Sequence, residues 1–396
     1  MYKTICYIYI TPVLRSSYKR HGIKALSEKG YKIRIFDISP VVNKIAYENV
    51  KKDLLEEEKM PVEVFYSKKE ISNAIHMLES QSTLVIPYFD FSLDYLFVYR
   101  ELSKANLKFG FIHRVNSEAK MPKIEKSRIF NYFKRISIHN VINSILIRIP
   151  KRFLPIKKAE FIVFGGLENR EIYRKINLVD ARTREIIIHA LNFEDCISNE
   201  EKEGFIEQKY AVFLDQYMPF HPDHLELGIK IDPKQYYSEL NKLFEKIETM
   251  LDLEVIIAAH PKADYEKYRD VFGQRKKIKF KTVPLIENAE MVIANFSTAI
   301  AYVPFYKKRL LICDSNCLNK YKYFSRRVAY WSKELDIEPV NLSDKIDDAT
   351  LNQCLSEEIN LDAYEQCIKD TLKGDFSWNK TEYIHFWDKF EKEVLI

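Results

Sequence analysis

The chain has 396 residues, and at about 100–200 residues per domain this length predicts two domains or three small ones. Hydrophobic residues make up 46% of the chain and charged residues 30%, a composition that is typical of globular proteins and excludes a disordered chain. The formal net charge of +5 is too small to indicate a nucleic-acid-binding protein. The 9 glycines form neither G-x-G-x-x-G nor a Walker A sequence, which argues against a glycine-rich phosphate loop.

Short apolar segments alternate with longer amphipathic ones along the first half of the chain. The predicted strands are Thr4–Ile10, Lys32–Ile38, Val62–Tyr66, Thr83–Tyr88, Lys108–His113, Glu160–Phe164 and Glu185–His189. The predicted helices are Tyr18–Lys29, Lys69–Glu79 and Leu93–Ala105. This alternation predicts a mostly parallel sheet that is covered on both faces, because the strands are apolar throughout.

The same alternation restarts in the second half. The predicted strands are Tyr210–Gln216, Leu253–Ala259, Ile278–Lys281, Met291–Ala294 and Arg309–Cys313. The predicted helices are Pro233–Leu251, Ala263–Phe272, Leu285–Ala289, Ser297–Phe305, Ala363–Lys373 and Lys380–Leu395. We therefore predict an α/β protein with two Rossmann-like domains that face each other across a cleft, followed by C-terminal helices.

The acidic stretch 199–208 marks the joint between these halves. We predict an N-terminal domain over 1–204, a C-terminal domain over 205–375, and a last helix over 376–396 that could cross back to the N-terminal domain. The 6 cysteines include no C-x-x-C pair and are expected to be reduced thiols of a cytosolic protein. The apolar N-terminal run is too short for a signal peptide and predicts a buried strand.

Residues 120–158 form a basic amphipathic segment. Eleven lysines and arginines stand against a single acidic residue, Glu125, and large apolar residues fill the positions between them. This pattern is typical of a segment that lies in an anionic membrane interface. An ordinary helix with a solvated basic face is the alternative, and a nucleic-acid contact is disfavoured because no binding motif accompanies the charge.

Polar residues follow the predicted strand Leu253–Ala259, at the edge where an open α/β sheet binds its ligands. His260 can donate a hydrogen bond to a phosphate there, and Lys262 adds a positive charge. Pro261 ends the strand and fixes the turn. A structural histidine bonded to a backbone carbonyl is the alternative.

A second turn with phosphate-binding character follows Met291–Ala294. Asn295 belongs to this turn, and Ser297 and Thr298 open the next predicted helix. Hydroxyl side chains at a helix start cap free N–H groups, and the same groups can bind phosphate. A plain N-cap without a ligand is the alternative.

The loop after the strand Tyr210–Gln216 supplies a third group of candidates. Asp215 is a candidate base or substrate contact, and Gln216 stands beside it at the strand end. His221 and Asp223 follow in a proline-bracketed loop, where they fix the loop or contact a ligand. A metal site is disfavoured because all of its ligands would come from one loop.

The first half offers weaker candidates at its own strand ends. Arg15 and His21 follow the first strand, and Asp90 follows the fourth. Gly165 and Gly166 permit a sharp turn or a close backbone approach to a ligand. We expect these loops to face the second half across the cleft.

Over roughly residues 205–320 the chain resembles the GT-B glycosyltransferases of bacterial surface polysaccharide synthesis. The resemblance is carried by His260-Pro261, by Ser297-Thr298 and by the loop Phe213–Asp223. A His-Pro turn followed by a Ser-Thr turn is similar to the CMP-sugar-dependent sialyl, Kdo and nonulosonate transferases. The D/E-D/E-G motif that supplies the base in sialyltransferases is not intact in this sequence.

This resemblance implies metal-independent, inverting transfer of a CMP-activated acidic sugar to a glycan or lipid-linked acceptor, without a cofactor. His260, Ser297 and Thr298 would stabilise the leaving phosphate, and Asp215 or Asp90 would act as the base. The implied nucleotide contacts also include Pro261, Lys262 and Asn295; the substrate contacts are Arg15, His21, Gly165, Gly166, Gln216, His221 and Asp223. The basic segment would hold a cytoplasmic enzyme on the inner membrane surface.

Other functions suit the same fold. The donor could be a UDP- or GDP-sugar, or a CDP-polyol in a phosphotransferase. A UDP-sugar 2-epimerase would turn over a nucleotide sugar without an acceptor. A non-catalytic scaffold of a polysaccharide assembly complex would bind no donor.

Neutralising Lys134, Arg135, Lys151 and Arg152 together should release the protein from vesicles that contain anionic lipid. Each cation near such a surface contributes roughly 1 kcal/mol to binding. The measurement is cosedimentation with anionic vesicles, with neutral vesicles as the control. Unchanged sedimentation of the variant would mean that the segment is only a solvated face.

Overall fold

The structure, a computed structural model, describes residues 2–13, 15–44, 47–48, 62–89, 91–113, 156–165, 178–197, 206, 208–221, 224, 229–260, 263–265, 271–344, 346–373 and 385–396. The basic segment lies outside these residues except for positions 156–158. The chain divides into two compact units. Described residues of the first unit lie within 2–113 and 156–191, at 373 and within 385–396, and those of the second lie within 192–372.

The first unit is built on a parallel sheet of seven strands. In chain order these are β1 (Thr4–Tyr9), β2 (Lys32–Asp37), β3 (Val62–Val64), β4 (Thr83–Pro87), β5 (Lys108–His113), β6 (Phe161–Gly165) and β7 (Arg184–Ile188). Their order across the sheet is β3-β2-β1-β4-β5-β6-β7. Alternate residues of β1 enter different apolar cores, with Ile5 and Tyr7 in one and Cys6 and Ile8 in the other.

Helices pack on this sheet and close its cores. They are α1 (Arg15–Arg20), α2 (Ile23–Glu28), α3 (Ser39–Val42), α4 (Lys68–His76), α5 (Leu96–Lys104) and the C-terminal helix Phe386–Phe390. Trp387 of the C-terminal helix lies in the same core as Ile5 and Tyr7. Lys29 pairs with Asp388 at 2.7 Å, so the end of the chain is also fixed by charge.

The second unit is built on a parallel sheet of six strands. They are β8 (Tyr210–Leu214), β9 (Glu254–Ala259), β10 (Lys277–Lys279), β11 (Met291–Ala294), β12 (Arg309–Asp314) and β13 (Val340–Asn341). Their order is β10-β9-β8-β11-β12-β13, which is the order of the first six strands of the other sheet. In each sheet the first strand therefore lies beside the fourth.

The helices of the second unit are α6 (Leu191–Ile197), α7 (Pro233–Leu251), α8 (Thr282–Asn288), α9 (Asn316–Asn319), α10 (Lys322–Leu335), α11 (Asp348–Ser356) and α12 (Leu361–Ile368). The longest, α7, begins where Asp232 accepts hydrogen bonds from the next turn and Pro233 occupies the first helical position. Among the described helices, none has the length and apolar character needed to cross a membrane.

Three helix predictions are corrected by the structure. The helix predicted over Tyr18–Lys29 is two helices, because Gly22 between them adopts a left-handed φ of 70°. The helix predicted over Ser297–Phe305 is only a 3₁₀ turn, Thr298–Tyr302. Pro304 lacks the N–H that a continuing helix would need. At its described ends, 263–265 and 271–272, the helix predicted over Ala263–Phe272 is not formed.

Gly22→Ala should destabilise the first unit far more than Gly30→Ala. Both glycines have positive φ, but a Cβ at Gly22 would lie 2.2 Å from Cδ2 of Trp387, whereas no atom lies within 4 Å at Gly30. We expect Gly22→Ala to lower the free energy of unfolding by about 2–5 kcal/mol, from backbone strain and overpacking together. Gly30→Ala should cost about 1–2 kcal/mol, from strain alone.

Urea denaturation of both full-length variants, followed by circular dichroism, measures this difference. Equal losses would show that the Trp387 ring moves aside without cost.

Candidate functional site

Polar residues meet at the carboxyl ends of β9, β8 and β11. Leu214 of β8 lies opposite Ala294 of β11 in the parallel register, and the next residues are Asp215 and Asn295. His260 follows β9 on the other side of β8. Because β8 and β11 are the first and fourth strands, this edge is the switch point where open α/β sheets bind ligands.

Asp215 joins two of the turns at this edge. Only 4% of the residue is exposed. Its Oδ1 accepts a hydrogen bond from the N–H of Tyr217 at 2.9 Å, and the carboxylate also accepts from the N–H groups of Gln216 and His260. The carboxylate therefore links the turn that leads to His221 with the turn that begins at His260.

Burial raises the pKa of the Asp215 carboxyl to about 6, although its hydrogen bonds act in the opposite direction. One of these bonds is donated to Oδ2 by the hydroxyl of Tyr265. Burial and the charge of Asp215 raise the pKa of Tyr265 above its usual range, so the hydroxyl keeps its proton and remains a donor. Tyr265 was not predicted from the sequence, where its one signal is its place shortly after the His-Pro turn.

Three histidines lie together beside this carboxylate. The ring centroid of His221 is 4.9 Å from that of His260 and 4.9 Å from that of His224. His224 is buried and packs edge-on against Phe324 at 5.0 Å, which indicates a structural role. His221 and His260 are partly exposed, so this is the pair that a ligand can reach.

Asn295 serves the structure of the second unit. It is 1% exposed, its Oδ1 accepts a hydrogen bond from the Tyr236 hydroxyl at 2.8 Å, and its Nδ2 donates to the Cys313 carbonyl at 2.9 Å. These bonds tie β11 to α7 and β12. A nucleotide contact of Asn295 stays a prediction.

Ser297 caps the turn that follows Asn295. Its Oγ accepts a hydrogen bond from the N–H of Ala299 at 3.3 Å, and Thr298 beside it is exposed. Since the turn is a five-residue 3₁₀ segment, few peptide dipoles align there. The hydroxyl groups are therefore better candidates for a phosphate contact than the free N–H groups at the start of the predicted helix.

Gln216 carries a buried polar atom to which no described residue is bonded. Its Oε1 is buried and has no hydrogen-bond partner among the described residues. A buried acceptor usually has a partner, so an unbonded one beside a candidate site suits the O–H or N–H of a ligand.

The first unit has an aromatic group at its own switch point. His21 Nδ1 and the Tyr9 hydroxyl share a hydrogen bond of 2.6 Å, and the His21 ring stacks on Tyr88 with centroids 4.1 Å apart. Tyr9 is the last residue of β1, and Tyr88 directly follows β4, the neighbouring strand. His21 is partly exposed, which leaves its ring accessible to a ligand.

The remaining predicted site residues lie at element ends or outside the described residues. Gly165 ends β6, and Arg15 begins α1, although the side chain of Arg15 is not among the described atoms. Five positions lie outside the described residues: Asp90, Gly166, Asp223, Pro261 and Lys262. Within the described part of the chain, no group of three or more His, Cys, Asp or Glu side chains is arranged to hold a metal ion.

No family model and no curated protein matches this chain. Among solved structures, a variant of the wall teichoic acid polymerase TagF has a TM-score of 0.50 and 13% identity, covering 94% of this chain and 85% of that one. UDP-GlcNAc 2-epimerase from Methanocaldococcus jannaschii has a TM-score of 0.48 and 12% identity, covering 100% and 99%. MurG from Acinetobacter baumannii has a TM-score of 0.44 and 8% identity, covering 93% and 94%.

At these identities the likeness shows the fold alone. Together with two parallel sheets of seven and six strands, it confirms the predicted fold class, two α/β domains of the GT-B type followed by C-terminal helices. The CMP-sugar subtype receives no support from these structures.

The raised pKa of Asp215 predicts a pH dependence of stability. The folded state keeps the Asp215 carboxyl protonated up to about pH 6, whereas the unfolded chain releases the proton near the ordinary pKa of 3.8. The protonated carboxyl therefore favours the folded state at low pH, and this contribution to stability is lost as pH rises through 6. The stability of wild type relative to Asp215→Asn should therefore fall by about 2 kcal/mol between pH 4 and pH 7.

Urea denaturation at several pH values measures this difference. Tyr265→Phe removes a bond that lowers the pKa of Asp215 and should extend the decline to higher pH. A wild-type-to-variant difference that is constant with pH would contradict the assignment.

Proposed function

We propose that the protein is a glycosyltransferase that takes its sugar from a nucleotide-activated donor. The proposal is carried by His221 and His260, two partly exposed imidazoles with ring centroids 4.9 Å apart at the switch point of the second sheet. Imidazoles at this spacing can both donate N–H hydrogen bonds to one phosphate group. The Ser297 hydroxyl, on the turn after β11, is a further donor for the same phosphate.

Asp215 supports this site as a positioning residue. An unbonded carboxylate would repel a phosphate, but donors from three neighbouring residues and Tyr265 surround this one and share its charge. The same bonds hold the two turns that carry His221 and His260. Its 4% exposure also makes it a poor group to take a proton from an acceptor.

The transfer itself needs one bond to form and one to break. The acceptor oxygen attacks the anomeric carbon, the bond from that carbon to the phosphate oxygen breaks, and its electron pair leaves with the phosphate. His260 and His221 stabilise the charge that develops on this leaving group. Attack from the opposite face inverts the configuration at the anomeric carbon.

The acceptor proton must pass to a base in this reaction. Asp90 remains the candidate that the sequence suggested. His21 is a second candidate, because the 2.6 Å hydrogen bond between its Nδ1 and the Tyr9 hydroxyl fixes the orientation of a partly exposed imidazole ring.

The donor we favour is a CMP-linked acidic sugar of the sialic, nonulosonic or Kdo type, as the His-Pro and Ser-Thr turns suggest. The acceptor would be a glycan or a lipid-linked sugar of capsule or lipopolysaccharide synthesis, and the basic segment would hold the enzyme at the membrane surface. A UDP- or GDP-sugar transferase and a UDP-sugar 2-epimerase are the competing functions on this fold.

A melting-temperature screen with CMP, CDP, UDP and GDP tests the proposal. We expect CMP to raise the melting temperature most, because binding to the folded state alone stabilises it. A preference for UDP or GDP would reassign the donor, and turnover of a UDP-sugar without an acceptor would indicate the epimerase. No stabilisation by any nucleotide would overturn the proposal in favour of a scaffold.

His260→Ala should weaken binding of the preferred nucleotide about 10- to 150-fold, since a hydrogen bond to a charged group contributes about 1.5–3 kcal/mol. The matched control is His76→Ala, which removes an exposed imidazole of the first unit that contacts Glu101 at 3.0 Å. Titration calorimetry measures both affinities. Wild-type affinity in His260→Ala would remove this residue from the site.

A further inference from the structure

Phe280, the residue that directly follows β10, combines high exposure with an unusual backbone conformation. Its side chain is 76% exposed, and its backbone φ is 62°, in the left-handed region that bulky residues rarely adopt. Tyr217 also has a positive φ, but it is 5% exposed and its N–H bonds to Asp215. Phe280 gains no such burial, so packing against the described residues of the second unit does not explain its conformation.

The register places Phe280 beside the candidate phosphate site. Lys279 of β10 lies opposite Ala259 of β9, and the next residues along the two strands are Phe280 and His260. Neighbouring strands are about 4.8 Å apart, so the two residues leave the sheet side by side. Lys279 donates a hydrogen bond to the carbonyl of Ala263, which ties the end of β10 to the turn after His260.

The surroundings of Phe280 are cationic. Phe280 is flanked in the sequence by Lys279 and Lys281, and Lys277 lies three positions before it. Lys281 directly precedes the first residue of α8. An exposed aromatic face with positive charge nearby suits a planar, electron-rich ring that is linked to an anion. A nucleobase linked through its ribose to a phosphate has this chemistry.

We propose that Phe280 is the surface on which the nucleobase of the donor stacks while His260 and His221 bind the phosphate. This inference rests on the proposed function and adds the residue that distinguishes a nucleotide from a bare phosphate. The left-handed backbone turns the ring away from the core and leaves its face open for the base. Every base has a stacking face, so Phe280 sets affinity for the nucleotide, and other contacts select which base is bound.

The test compares Phe280→Gly, Phe280→Trp and Lys307→Gly in the full-length protein. Lys307→Gly is the matched control, because Lys307 is exposed in the same unit and also has a positive φ, 50°, but carries no ring. Calorimetry measures the dissociation constants of the nucleotide that binds wild type best and of inorganic pyrophosphate, which has no base.

Phe280→Gly should weaken nucleotide binding about 5- to 150-fold, as expected for the loss of one stacked base, and leave pyrophosphate binding unchanged. Phe280→Trp should retain nucleotide affinity, and Lys307→Gly should change neither ligand. Unchanged nucleotide affinity in Phe280→Gly would overturn this inference and leave the proposed function standing. Equal loss of both ligands would assign Phe280 to the phosphate site instead, and a wild type that binds no nucleotide would overturn both proposals.

Discussion

The second unit depends on the buried carboxylate of Asp215. A buried carboxylate is unfavourable unless its oxygens are bonded, and here the donors come from the turn after β8, from His260 and from Tyr265. These bonds form only when both turns are in place. The group that fixes the turns therefore also fixes the spacing of the two imidazoles, His221 and His260, on which the candidate phosphate site depends.

The two units share one sheet order but differ in the chemistry of their switch points. In the second unit imidazoles and a hydroxyl face the carboxyl ends of the strands, which suits an anion. In the first unit the stacked rings of His21, Tyr9 and Tyr88 lie at the corresponding strand ends.

The strands were largely predictable because their signal is local. Lys108–His113 and Met291–Ala294 have the predicted bounds, since continuous apolar runs between polar turns define buried parallel strands. The helix Pro233–Leu251 was also predicted at both ends, and its start is fixed by the Asp232 cap and Pro233. The helices that failed, such as Ser297–Phe305, had the right amphipathic pattern but ended early at residues whose backbone could not continue.

The sequence by itself determined which residues stand at strand ends, because the end of an apolar run is visible without knowledge of its neighbours. It thereby identified His260, Asp215 and Ser297 as candidates. Only the tertiary structure decided which strands lie side by side, since pairing is a long-range choice that local pattern does not encode. That choice brings Tyr265 to the Asp215 carboxylate, uses the Asn295 amide within the core, and places Phe280 and His260 after the ends of neighbouring strands.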